Sequence, residues 1–300
     1  MLNPVDMANS TRFGFIFGMA LLAAGCGGDK KPVVVGAKST TGQGLIGEIT
    51  AQHLEHRLGR KIGRSFNLGN TALAYQSLVS GEVSLYPEET GTIQAVILKE
   101  PPSPDAAQSL ERSRNEILRL AQAEVLDPLG VDDVWRVWVK RGEAEKYNFQ
   151  NLSDVEEVKP GWRMGVTREF NERADGLANL NKYRLPQAAL PRVADSGTIY
   201  GAFDSGELNM VVGLATDGQP ARHPDWKTLI DDKKVFPAYQ TCIVARSDIL
   251  ATDPKIKAAL AELSGKLSND AIAKLAAEVD VDHKKLADVA AEFLAQAGLK

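Results

Sequence analysis

The feature that most constrains this chain is a repeat. YQSLVSGEVSLY begins at Tyr75 and YGAFDSGELNMV at Tyr200, and both read Tyr-x-x-apolar-x-Ser-Gly-Glu-apolar, 125 residues apart without a gap. The pattern predicts a helix, a Ser-Gly turn that stops it and a buried strand beyond the glutamate. A polar stretch follows each copy, PEETGT from Pro87 and GLATDG from Gly213. A helix–turn–strand–loop unit used twice points to two similar α/β lobes. At 300 residues and 44% hydrophobic content, the chain has enough apolar sequence for two cores. Ligands of α/β sheets sit beyond the carboxyl ends of the strands. Two lobes with such ends facing each other form a cleft that a hinge motion closes.

The flanking sequence supplies the rest of the α/β units. KPVVVGA reads as a buried strand, residues 43–58 as a helix ended by Gly59, and KIGRSFNLG as a second strand. Residues 71–79 form a second helix and EVSLYPE a third strand, which together predict right-handed crossovers and a parallel sheet. PPSP at 101–104 is a loop, 106–124 an amphipathic helix and VWRVWVK an alternating strand, while WRMGVT at 162–167 opens the second unit. From Asp253 onward, three segments with N-cap residues carry a helical apolar period.

TGQGLIGE, residues 41–48, matches G-x-G-x-x-G through Gly42, Gly44 and Gly47. A dinucleotide site needs its first glycine directly after the strand and an acid at the end of the second strand. Here AKSTT intervenes between Gly36 and the motif, and Asn67 stands where the acid belongs. What remains is a loop, 36–43, entering a helix N-terminus. Exposed N–H groups and the helix dipole favour an anion there, and Lys38 adds a positive charge. The loop reads as a carboxylate site rather than a nucleotide site.

RFGFIFGMALLAAGC, residues 12–26, sets one basic residue before an apolar run that is too short to span a bilayer. Small residues and Cys26 follow, which is the order of an export signal. LAAG before Cys26 resembles a bacterial lipobox, in which the cysteine is lipidated and becomes the mature N-terminus. The leucine sits one place early and the n-region carries Asp6; a start at Met7 gives a more ordinary signal. The expectation is a signal peptide over 1–26, a lipid on Cys26 and a tether, GGDKK, over 27–31, with more than one acyl chain giving stable anchoring. Cys242 in TCIVA then has no disulfide partner and reads as a small core residue. A net charge of −4, with bases spread among acids, argues against nucleic acid as a partner.

VVVGAKSTTGQGLIGEITAQHLE, NLGNTALAYQSLVSGEVSLYPEETGT, ERADGL and AAEVDVDHKKLADVAAEFLAQAGL together resemble the osmoprotectant-binding proteins of bacterial ABC importers. That family takes up glycine betaine, choline, carnitine and similar quaternary amines. The resemblance covers nearly all of 27–300, in order. It implies an α/β, two-lobed type II periplasmic-binding-protein fold, with the C-terminal helices packed on lobe 1. Lobe 1 is expected over 32–135 plus 239–300 and lobe 2 over 136–238, with crossovers near Trp135 and Tyr239. The implied protein is a monomer without cofactor or metal, lipid-anchored in the periplasm or on the outer face of the cell membrane. It delivers a small zwitterionic ligand to an ABC permease with its ATPase.

The family holds a zwitterion at both ends, and the motifs map onto this chain unevenly. Lys38 matches the lysine of G-[SA]-K, Thr92 the last threonine of T-G-T and Arg173 the arginine of R-x-D-G, so the carboxylate-binding set is complete. The aromatic cage for the ammonium is altered. Glu89 stands at the first ring position, Trp135 replaces a tyrosine beside the retained Asp133, Leu214 (or Ala215) stands at the third, and Tyr239 fits the fourth. Glu89 and Leu214 are themselves 125 residues apart. A desolvated cation–π contact contributes about 1–2 kcal/mol, so two missing rings cost about 2–4 kcal/mol, or roughly 30- to 1000-fold in affinity. A carboxylate at position 89 suits an N–H-bearing amine better than a trimethylammonium. The expectation is a ligand set that includes non-quaternary amines or amino-acid-like zwitterions, unless Glu89 points away and Trp138, Tyr86 or Tyr200 completes the cage.

An enzyme reading has little to rest on. His53 and His56 share a helix face without a third metal ligand at suitable spacing, no G-x-S-x-G elbow is present, and the paired Glu88-Glu89 reads as solvated. A solute sensor on the same scaffold is the rival reading, because fold does not determine function.

Overall fold

The computed structural model describes residues 32–158 and 161–300. The signal peptide expected over 1–26, the lipidation expected at Cys26 and the tether expected over 27–31 lie outside the described residues. Within them the strands are β1 (Val34–Gly36), β2 (Gly63–Ser65), β3 (Leu85–Glu89), β4 (Ala123–Val125), β5 (Trp135–Lys140), β6 (Met164–Thr167), β7 (Arg192–Ala194), β8 (Met210–Leu214), β9 (Trp226–Leu229) and β10 (Thr241–Arg246). They form two five-stranded sheets, ordered β2-β1-β3-β10-β4 and β7-β6-β8-β5-β9. The two orders are the same once each strand is numbered within its own lobe, which makes the sequence repeat a structural one.

Neither sheet is purely parallel, a correction to the expectation. β1 runs parallel to β2 and β3, and β6 parallel to β7 and β8, but β10 is antiparallel to β3 and β5 antiparallel to β8. The cause is chain path. β5 and β10 are each entered from the other lobe, so they arrive in the opposite direction. The two passages, β4 to β5 and β9 to β10, run side by side: Asp132 bridges Gln240, and the Asp133 N–H donates to the Tyr239 carbonyl at 3.1 Å.

The repeated motif folds the same way twice. Helix Thr71–Ser80 is capped by Asn70 and helix Ser196–Asp204 by Asp195, each side chain accepting a backbone N–H of the first turn. Gly81 and Gly206, the glycines of Ser-Gly-Glu, adopt φ of 82° and 81°, a left-handed conformation that a side chain would strain. β3 and β8 follow at the 125-residue offset.

Side chains alternate across each sheet and fill a core on both faces. On the first sheet Leu85, Ile243 and Ala245 face one core, while Tyr86, Cys242 and Val244 face the other. Helix Thr41–Leu58 covers the former face, and the C-terminal helices Pro254–Ala261, Asn269–Asp280 and Leu286–Gln296 pack against it. The motif glycines lie inside this helix. At Gly42 a Cβ would stand 2.6 Å from Thr216 Oγ1, so that glycine serves close approach to the second lobe. Helix Asn269–Asp280 also packs on Gly218–Ala221 of the second lobe.

Candidate functional site

A cavity of about 600 Å³ opens where the carboxyl ends of β3 and β8 face each other. All eight residues singled out for ligand contact line it. Lys38, Glu89 and Thr92 come from the first lobe, Trp135, Arg173 and Leu214 from the second, and Asp133 and Tyr239 from the two passages. Each sits where a strand ends or a loop turns: Glu89 ends β3, Leu214 ends β8, and Trp135 opens β5. Trp138, Tyr86 and Tyr200 are packed in cores and do not line the cavity.

Lys38 is held by two carboxylates. Its Nζ lies 2.5 Å from Glu88 Oε1 and 2.6 Å from Glu89 Oε2. Gln43 Nε2 donates to the other oxygen of Glu89, and the Glu89 N–H donates to Glu88 Oε1 at 3.0 Å. Glu88 is fully buried and Glu89 only 6% exposed. The reading of this pair as solvated is therefore corrected: alternation on β3 turns Glu88 toward the core that holds Tyr86, and Lys38 supplies the counter-charge. Burial pushes the Glu88 carboxyl up to about 8, with Glu89 adding to the effect against the pull of Lys38. Burial also opposes ionisation of Glu89, but Lys38 and Glu88 outweigh it and hold Glu89 at about 2. Burial would lower the Lys38 pKa, and its two partners raise it instead.

Arg173 organises the other wall. Its Nε and Nη2 donate to the two oxygens of Asp175 at 2.9 and 2.7 Å, a bidentate pair, and Nη1 donates to Glu169 at 2.9 Å. Nη2 also donates to Thr92 Oγ1 at 3.1 Å, joining the two lobes. The guanidinium carbon lies 5.7 Å from the Trp135 ring centre and 5.6 Å from that of Tyr239, within cation–π range. The Tyr239 hydroxyl donates to Asp175 at 2.6 Å. Thr92 and Arg173 thus meet directly, whereas among the described residues no hydrogen bond joins Lys38 to either of them.

Asp133 accepts from the Thr216 N–H and hydroxyl, both at 3.0 Å. Burial, then Glu89 and Asp217, push its pKa well above the ordinary aspartate range. The Leu214 N–H donates to Asp217, and the side chain offers an apolar face. Sequence reasoning missed Glu88, Gln43 and Asp175. Asp175 was within reach, since it is the acid of the R-x-D-G motif. Away from the cavity, Asp204, His223 and Asp225 bring three ligand atoms within 4.8 Å at the surface. Lys140 Nζ lies 3.3 Å from both aspartates, so a cation of the chain already holds that position.

Two pseudo-equivalent α/β lobes, exchanged strands and a charged, aromatic cavity between them define a periplasmic binding protein of the second type. Residues 31–296 match the family described as the substrate binding domain of ABC-type glycine betaine transport systems, and the chain belongs to it. The carnitine transport binding protein OpuCC of Listeria monocytogenes is 29% identical over 273 residues, covering 90% of this chain and 88% of that protein. The ergothioneine transport permease/ergothioneine binding protein EgtU of Helicobacter pylori is 30% identical over 275 residues, covering 90% of this chain and 48% of that one. A crystal structure described as a glycine betaine/carnitine/choline ABC transporter superposes with a TM-score of 0.79 at 27% identity, covering 89% of this chain and 99% of the other.

Proposed function

We propose that the cavity binds a small zwitterionic osmoprotectant, glycine betaine or a related amine, and that the protein hands it to an ABC permease outside the cytoplasm. The observation that carries this is the convergence of Arg173, Thr92, Trp135 and Tyr239 from both lobes and a passage on one cavity. Arg173 with Thr92 receives the ligand carboxylate, and the two rings face its ammonium. The names of the relatives, which bind carnitine and ergothioneine, support the solute class, and EgtU, described as permease and binding protein in one, supports the permease partner. The proposed lobes are 32–135 plus 239–300 and 136–238; the two sheets support this division, and β5, which starts at Trp135, belongs to the second sheet. The LAAG-Cys26 segment supports a lipid anchor on the outer face of the cell membrane.

A second reading has its own observation. Glu89 lines the cavity at a ring position of the family and none of Trp138, Tyr86 or Tyr200 replaces that ring, which favours amines that carry N–H. Titration calorimetry with glycine, sarcosine, dimethylglycine and glycine betaine separates the two by methylation alone. Tightest binding of glycine betaine supports the quaternary reading. Tighter binding of sarcosine or dimethylglycine supports the second, and no binding by any of the four, or by carnitine and choline, sinks both.

A further inference from the structure

The cluster behind the cavity wall has an unbalanced charge. One ammonium, Lys38, serves two buried carboxylates, and Gln43 Oε1 has no hydrogen-bond partner among the described residues. The groups facing it do not correct the imbalance. Tyr86, with Tyr75 beyond it, lies on the Glu88 side and is itself held neutral by burial and by the two glutamates. Cys242 stands across the sheet from Glu88 with its thiol pushed up by burial to about 12. Glu169 and Asp133 line the same cavity as Lys38 and Glu89 and add negative charge to it. Arg173 also acts on Glu89, and it is already paired with Asp175 and Glu169. A buried carboxylate without a counter-charge takes up a proton instead of ionising.

We propose that solute binding here is an exchange: a cationic nitrogen arriving against Glu89 displaces a proton from Glu88, with Lys38 as the shared counter-ion between them. In the empty site Glu88 is a carboxylic acid and Lys38 neutralises Glu89. A solute ammonium beside Glu89 takes over part of that neutralisation and frees Lys38 to serve Glu88. The Glu88 O–H bond breaks, the electron pair stays on the carboxylate, and the proton leaves to solvent. Glu88 never touches the solute; it is a positioning residue that tunes Lys38 and makes affinity depend on pH. The direction follows from linkage. Below the Glu88 pKa the proton must be displaced, so affinity rises with pH, by at most about tenfold per pH unit, and levels off once Glu88 is already ionised.

The inference rests on the proposed solute site and is tested separately from it. The protein is titrated with glycine betaine and with dimethylglycine at neutral pH in phosphate and in Tris, buffers of different ionisation enthalpy, and again from about pH 6 to 9. The expected result is a heat that differs between buffers, corresponding to release of most of one proton, and an affinity that climbs and then flattens. Glu88→Gln, which keeps Lys38 paired one to one with Glu89, abolishes both the buffer difference and the pH dependence; Glu89→Gln, which pairs Lys38 with an ionised Glu88, does the same. Buffer-independent heats in the native protein overturn the exchange while leaving the solute site standing. A buffer difference that persists in Glu88→Gln overturns the assignment to Glu88. Binding of neither solute, nor of carnitine or choline, overturns the site itself.

Discussion

Lys38→Met decides whether this lysine is an internal counter-ion or a free cation waiting for the solute carboxylate. In the structure its Nζ is within 2.6 Å of two buried carboxylates. Without it Glu89 is left with Arg173, which is already paired with Asp175 and Glu169, and takes up a proton to stay buried. At neutral pH that costs about 1.36 kcal/mol for each of the roughly 2.7 pH units down to the ordinary glutamate value, ~3.7 kcal/mol in all. This lies inside the ~3–5 kcal/mol seen when one partner of a buried pair is removed. For a protein of this size about 1 kcal/mol moves Tm by roughly 2–4 °C, so the midpoint falls by roughly 6–20 °C at neutral pH. The sign with pH is specific. In the native protein Glu89 is held low, so its contribution is present above the ordinary glutamate value and fades as pH falls toward about 2. In the variant Glu89 is held high, so stability is lost as pH rises. The gap between the two proteins therefore narrows toward about pH 4 and widens toward neutrality. Urea and thermal unfolding followed by circular dichroism at acid and neutral pH measure it, and Lys38→Met/Glu89→Leu recovers most of the loss. If Lys38→Met unfolds at the native midpoint at neutral pH while solute binding disappears, the counter-ion reasoning is wrong.

Two further outcomes are expected. In Gly91→Ala the new Cβ would stand 2.6 Å from the Ala238 carbonyl oxygen and 2.8 Å from the Tyr239 ring, so overpacking costs about 1–3 kcal/mol and shifts Tyr239 at the cavity; native stability and native glycine betaine affinity together would contradict the close packing. Cys26→Ser moves the protein from the membrane fraction to the soluble one, and retention on the membrane after that change would count against the lipid anchor.

Much of this architecture is legible in the repeat, because Ser-Gly-Glu needs a left-handed glycine between helix and strand and the chain meets that need twice, at Gly81 and Gly206. The sheets are harder to read. VWRVWVK announces a strand through its alternation, but nothing local says that β5 lies beside β8, more than seventy residues later in the chain. All eight ligand-contact candidates could be named because the family motifs mark them. Glu88 could not, for a physical reason. Two adjacent acids look solvated in one dimension, and only the strand's alternation, together with a lysine fifty residues earlier, makes burying both of them tolerable. A buried charge is a property of its neighbours in space.

The register sets Glu89 and Leu214, the two positions where the sequence departs from the pattern of the family it resembles, at equivalent places in the two sheets. Glu89 pairs with Thr241 at the start of β10 as Leu214 pairs with Trp135 at the start of β5. The carboxyl end of the third strand and the head of the exchanged strand therefore flank the cavity in both lobes. At this equivalent place one lobe carries a carboxylate and the other an aliphatic side chain. The carboxylate does more than remove a ring. By drawing Lys38 onto itself and Glu88, it engages that positive charge inside the cavity wall; in the proposed binding mode Arg173 with Thr92 then meets the solute carboxylate without it. In that proposed mode a single residue at the end of β3 bears on both halves of zwitterion recognition. For this reason the methylation series and the Lys38→Met unfolding experiment bear on the same side chain from opposite ends of the ligand.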